Sequence, residues 1–116
     1  MTELSCAKEE RLFSLLGLAR RAGKLLMGQD KVLIAAKSGR RLLVITSNDV
    51  SAAVLRSLRP HEECGLVTRI KISDADRTEL GRRLGIAGAQ IAALSKQGGF
   101  AKKALGIFND RSDADE

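Results

Sequence analysis

The chain has 116 residues, enough for one domain with a real core, and its 44% share of hydrophobic residues is ordinary for a globular protein. The formal net charge is +6. No apolar run is long enough to cross a bilayer, and no secretion signal precedes the first charged helical pattern, so a cytoplasmic domain is expected. Residues 1–8 are expected to be a loose N-terminus, residues 9–108 the domain, and residues 109–116 a disordered acidic tail.

From Lys8 to Ala22 the pattern is helical, with Leu12, Leu15, Leu16 and Ala19 on one stripe, acids in the first turn and Arg20 and Arg21 in the last. Gly23 is a natural stop, and Lys24 to Met27 is a short strand candidate. Gly28 opens a second helix that buries Val32, Ala35 and Ala36 and ends at Gly39. Leu42 to Thr46 reads as a buried strand. Ser47, Asn48 and Asp49 are candidate caps for a third helix over Val50 to Leu58, which Pro60 should close.

Gly65 to Ile72 reads as a strand. Ser73 to Asp76 has the capping-box spacing and predicts a fourth helix ending near Gly85. A short strand follows at Ile91 to Leu94, and a last helix at Gly98 to Phe108 with Phe100, Ala104 and Phe108 buried. Helix and strand alternate with short connections. That favours an α/β fold, one sheet with helices on both faces.

All of the net charge lies in one window. Arg20, Arg21, Lys24, Lys31, Lys37, Arg40 and Arg41 face only one acid there, Asp30, and the remaining charges cancel. A cluster this one-sided points to an anionic partner, nucleic acid before any other, although a solvated basic face has the same composition. Aromatic stacking is not expected to drive such binding. There are three Phe and no Trp or Tyr, and Phe100 and Phe108 stand at core spacing. Phosphate contact by Lys and Arg remains, together with free backbone N–H groups at the Gly28 helix start. Gln29, Asp30 and Lys31 lie in that first turn, within reach of base edges.

Catalysis finds no assembled site. His61 is the only histidine, beside Glu62 and Glu63 in an expected loop, and no GxSxG nucleophile setting occurs. Gly23 and Gly28 have the glycine spacing of a phosphate-binding P-loop, but Gln29 and Asp30 stand where Lys and Ser or Thr are required. Cys6 and Cys64 are isolated and lack metal-ligand spacing. Free thiols in a reducing compartment are expected, with a disulfide between them left open. Gly85-Ile86-Ala87-Gly88 has the GxxG form of a KH clamp, in an order of elements that does not suit a KH unit.

Leu15-Leu16-Gly17-Leu18-Ala19-Arg20-Arg21-Ala22-Gly23-Lys24, then Gly28, Gly39 and Leu42 to Asp49, resembles the opening of the bacterial YlxQ-like proteins. These belong to the superfamily of archaeal kink-turn-binding ribosomal protein L-seven-Ae and eukaryotic ribosomal protein L-thirty. Glu79 to Gly85 and Gly99 to Lys103 are similar to that branch too, so the resemblance covers residues 9 to 108. It implies a three-layer α/β/α sandwich with a four-stranded mixed sheet. It also implies a non-catalytic ribonucleoprotein component in a ribosome-, transcription- or translation-linked setting. The partner would be structured RNA, ribosomal RNA included, with no cofactor, metal or small-molecule substrate. A homodimer is left open.

The resemblance places the RNA site at the start of the second helix and in the loop before the last strand. In the archaeal pattern Gly-x-Asn-Glu-x-x-Lys reads the sheared pairs of a kink-turn. By position Gly28 matches the Gly, while Asp30, Lys31 and Ile34 replace Asn, Glu and Lys. The apolar loop covering bulged bases would be Ile86, Ala87, Gly88 and Ala89. Asp cannot donate as Asn does, Lys reverses the polarity of Glu, and Ile makes no hydrogen bond. Only a modest preference for a standard kink-turn is therefore expected. The competing class is a protein-interaction module on the same fold, as in the superfamily's acidic growth-arrest branch.

Overall fold

The structure is a computed structural model that describes residues 2–4, 6–73 and 75–108, with side chains from 9 to 73 and 75 to 107. In chain order the elements are β1 (Thr2–Leu4), α1 (Cys6–Arg21), β2 (Leu25–Met27), α2 (Gln29–Lys37) and β3 (Leu42–Thr46). Then come α3 (Ala52–Glu63), β4 (Val67–Ile72), α4 (Arg77–Leu84), β5 (Ile91–Ser95) and α5 (Gly99–Phe108).

The strands form one sheet in the order β1-β4-β3-β5-β2. β4 pairs parallel with β3, and β5 pairs antiparallel with both β3 and β2, which is the expected four-stranded mixed sheet. β1 extends it, pairing parallel with the outer edge of β4 through Thr2↔Ile70 and Leu4↔Ile72. The first eight residues, expected to be loose, thus hold a strand and the first turn of α1. The open hydrogen-bonding edge of β4 supplies the reason, since an unpaired edge takes another strand. The acidic tail lies outside the described residues.

All five residues of β3 are buried, because helices cover both sides of the sheet. Leu43 and Ile45 point into a core with α1, α4 and α5, whereas Leu42 and Val44 point into a second core with α2 and α3. Successive side chains alternate in the same way along β5, with Ala92 and Leu94 on the first side and Ile91 and Ala93 on the second. The result is the three-layer α/β/α sandwich. Fully burying each of these Leu and Ile side chains contributes about 1.5–3 kcal/mol.

Two helix boundaries differ from the sequence reading. α3 is capped by Ser51, whose Oγ accepts the Val54 N–H at 3.3 Å, rather than by Ser47, Asn48 or Asp49. It runs on through Pro60 to Glu63. The missing proline N–H leaves one carbonyl free on the exposed side, where water can take it, and the Cys64 N–H still reaches the Pro60 carbonyl. His61 therefore sits in the last helical turn, not in a loop. α4 starts three residues later than the Ser73 box implied, with Asp76 Oδ1 accepting the Glu79 N–H at 2.9 Å. Gly85 in the left-handed region (φ 82°) ends α4.

β2, β3 and β4 all start at one end of the sheet, and β5 starts at the other. That polarity decides which predicted site residues can meet.

Candidate nucleic-acid interface

α2 begins where β5 begins. Gly28 is its N-cap, at φ 93° and ψ 151°, and no side chain caps the helix. The first-turn N–H groups of α2 are consequently offered to solvent, at the positive end of the helix dipole. The Gly28 N–H donates to the Ile91 carbonyl at 3.1 Å, and the Val32 N–H closes the first turn on the Gly28 carbonyl at 3.2 Å. Gln29, Asp30 and Lys31 follow, all exposed.

The loop before β5 doubles back along α4. The Ile86 N–H donates to Gly81 O at 2.8 Å and the Ala89 N–H to Arg77 O at 3.0 Å. Its last residues come to rest beside the α2 start, where Gly28, Gln29, Gly88, Ala89 and Gln90 line a cavity of about 210 Å³. Ala87 and Gly88 are exposed, but Ile86 packs half-buried on the α1/α4/α5 core and Ala89 is buried in it. Ala89 thus faces the cavity with backbone more than with its methyl group.

Gln90 is a site residue that the sequence reading missed. Its Oε1 accepts the Ser51 N–H at 2.7 Å, and its own carbonyl accepts the Ser47 N–H at 2.9 Å. The amide is held by one oxygen, and its NH₂ has no hydrogen-bond partner among the described residues. Gln90 also lines a neighbouring cavity of about 330 Å³ between α2 and α3, with Gln29, Leu33, Ser51 and Ser57. The signal available in the sequence was its place, the polar residue directly before an apolar strand.

The remaining predicted cations stand elsewhere. Lys24 precedes β2, Arg40 and Arg41 precede β3, and Lys37 ends α2, so all four lie at the strand-start end of the sheet. α2, nine residues long, separates them from Gly28 by about 13 Å. The charge window is therefore split, with Lys31 at one end and Lys24, Lys37, Arg40 and Arg41 at the other. Lys96, also missed, joins the second group, since its N–H donates to Arg41 O at 2.9 Å and its Nζ reaches Gly65 O at 3.4 Å. Partial burial, then the Arg41 guanidinium, hold the Lys96 ammonium below the usual lysine value.

Pairing divides the cations further. Arg69 meets Glu62, Arg77 meets Asp49, Arg82 meets Glu79 and Arg83 meets Glu10. Lys24, Lys31, Lys37, Arg40 and Arg41 have no carboxylate partner among the described residues. Uncompensated positive charge thus lies along α2 and at the strand-start end. Between Lys31 and Lys37 the α2 surface carries Ile34, 68% exposed.

Among the described residues no cluster of His, Cys, Asp or Glu could hold a metal ion. Cys64 is free and exposed, and the Cys6 side chain lies outside those described. No helix is long and apolar enough to cross a membrane.

No protein-family model matches the chain. It is 30% identical over 97 residues to the RNA-binding protein YlxQ of Bacillus subtilis, covering 84% of this chain and 94% of that one. A solved protein with unknown function from Bacillus halodurans superposes with a TM-score of 0.69 at 30% identity, over 84% of this chain and 96% of that one. The Giardia lamblia 15.5kD RNA-binding protein has the same fold, with a TM-score of 0.69 at 18% identity over 92% of this chain and 89% of that one.

Proposed function

The chain belongs to the YlxQ family, and on that premise we propose that it is a non-catalytic protein that binds structured RNA through the α2 start and the loop before β5. The observation that carries the proposal is the cavity shared by Gly28, Gln29, Gly88, Ala89 and Gln90 at an uncapped helix start. Free N–H groups there suit a phosphate oxygen. Gln29, Asp30, Lys31 and the Gln90 NH₂ are placed to meet base edges, Asp30 as acceptor and Lys31 as donor to guanine O6 or N7. Lys31 has no carboxylate to hold it back. A ribosome- or translation-linked role in the cytoplasm fits this reading, with a ribosomal RNA helix interrupted by an internal loop as the substrate class.

The test is direct. The protein purified at low salt should carry nucleic acid absorbing at 260 nm and lose it at high salt. Lys31→Glu should then weaken binding to a structured RNA by about tenfold or more, as the loss of a charge-assisted base or phosphate contact requires. Equal binding by Lys31→Glu, or no RNA binding at all, would overturn the assignment and leave a protein-interaction role on the same fold.

A further inference from the structure

A further cavity lies far from the α2 start. It has a volume of about 540 Å³ at the strand-start end, lined by residues that include Lys24, Leu26, Arg40, Leu94, Gly99 and Phe100. We propose that it takes one unpaired nucleotide of the bound RNA, its phosphate on Lys24 and Arg40 and its base against Phe100. The inference rests on the RNA-binding reading above and adds to it a second, separate point of contact.

Size and lining both suit a nucleotide. Small-ligand sites are concave, of roughly 300–1,000 Å³, with apolar walls and a few placed polar groups. Here the lining is drawn from β2, β5 and α5, with the cations from the turns before β2 and β3. Leu94 is buried in the α1/α4/α5 core and Leu26 packs on the other face of the sheet, so Phe100 is the apolar side chain a base can meet. Phe100 was expected in the core, but it is half-buried, packed on the core and also part of the cavity wall. A half-buried ring in the lining is a contact for a base that the sequence spacing concealed.

The charge is uncompensated. No acid lines the cavity, and neither Lys24 nor Arg40 has a carboxylate partner among the described residues. The path between the two contacts is also basic, because α2 spans it with Lys31 and Lys37 exposed at either end. A strand leaving the Gly28 site can follow α2 for about 13 Å and arrive at Lys24 and Arg40.

The test uses the full chain and one labelled hairpin RNA in two forms, blunt and with a single-stranded tail of about four nucleotides. The tail should raise affinity about fivefold or more at a fixed salt concentration. The double variant Lys24→Ala, Arg40→Ala should abolish that gain. Gly99→Phe is a second variant, since Gly99 lines the cavity, a Cβ there meets nothing within 4 Å, and the change adds bulk at the lining without altering a charge. It should abolish the gain while leaving the blunt hairpin within about twofold. If the tail adds nothing although the blunt hairpin binds, this inference falls and the α2-start reading stands. If neither hairpin binds, both fall. Free adenosine or uridine monophosphate should not saturate below about millimolar concentration. A micromolar Kd for either would identify a free-nucleotide site and overturn the assignment to RNA.

Discussion

Gly81 and Gly88 meet backbone to backbone, so that a methyl group on Gly81 would stand 2.5 Å from the Gly88 Cα. This contact lets the loop before β5 lie flat on α4 and delivers Gly88, Ala89 and Gln90 to the α2 start. Gly81→Ala should therefore push the loop away even though alanine is the better helix former. We expect a loss of about 1–3 kcal/mol in urea unfolding, typical of overpacking, together with weaker RNA binding. Gly106→Ala in α5 is the control, since its Cβ would meet nothing within 4 Å. It should be neutral or stabilising by up to about 1 kcal/mol. Equal behaviour of the two variants would show that the Gly81–Gly88 contact does not set the loop.

Gly28 is constrained by its backbone rather than by crowding. Its φ of 93° with ψ of 151° falls where residues with a Cβ are rare, although a Cβ there would touch nothing within 4 Å. Gly28→Ala should cost about 1–3 kcal/mol of stability through that conformation alone. Binding must then be compared at a temperature where both proteins are fully folded. A loss of RNA affinity under those conditions would reflect the displaced helix start. An unchanged melting temperature would mean that the glycine is not needed for the turn.

The sequence showed the layers more clearly than the caps. β3 was legible to the residue because both of its faces are buried and its five positions are uniformly apolar or small. The segment Ser47 to Asp49 was misread because its partners are distant. Asn48 Nδ2 donates to Ser73 O at 2.9 Å, and Asp49 accepts the Arg77 N–H at 2.8 Å, contacts that no local pattern announces. For the site, Gly28 stood out as a glycine between strand and helix. Gln90 and Lys96 did not, since only the antiparallel pairing of β5 brings them to the two ends of β3 and β2. The split of the basic window has the same origin, because residues adjacent in sequence are carried to opposite ends by α2.

Asp49 should make stability depend on acid pH. The Ser47 hydroxyl, then the Arg77 N–H and guanidinium, hold its carboxyl below the ordinary aspartate value. A group depressed in the folded state stabilises fully above its unfolded value of about 3.9, and that contribution is lost as pH falls through the lower folded value. Asp49→Asn should accordingly lower the melting temperature at neutral pH and remove part of the drop below about pH 4. Parallel melting curves for the two proteins from pH 7 to pH 3 would show that the link between β3 and α4 contributes nothing.

Specificity is the sharpest remaining test, because the three departures from the kink-turn pattern are all exposed. Asp30 and Lys31 are open to solvent in the first turn of α2, and Ile34 is 68% exposed one turn on. Replacing them disturbs no core contact, so any change in binding belongs to the RNA interface. Asp30 can accept from a base amino group but cannot also donate, as an asparagine can, and Ile34 offers no hydrogen bond. The wild type should therefore bind structured RNA with only a modest preference for a standard kink-turn over a duplex of equal length. The triple variant Asp30→Asn, Lys31→Glu, Ile34→Lys should raise that preference at least tenfold, since each restored polar contact to a base edge is worth about 1–3 kcal/mol and about 1.4 kcal/mol is a factor of ten. Two titrations per protein at one salt concentration decide it. Nanomolar, selective kink-turn binding by the wild type would show that Asp30 and Lys31 read guanine edges by themselves. No gain in the triple variant would show that positions 30, 31 and 34 do not read the base edges, and would leave Gln29 and Gln90 as the polar groups of the α2-start cavity that do.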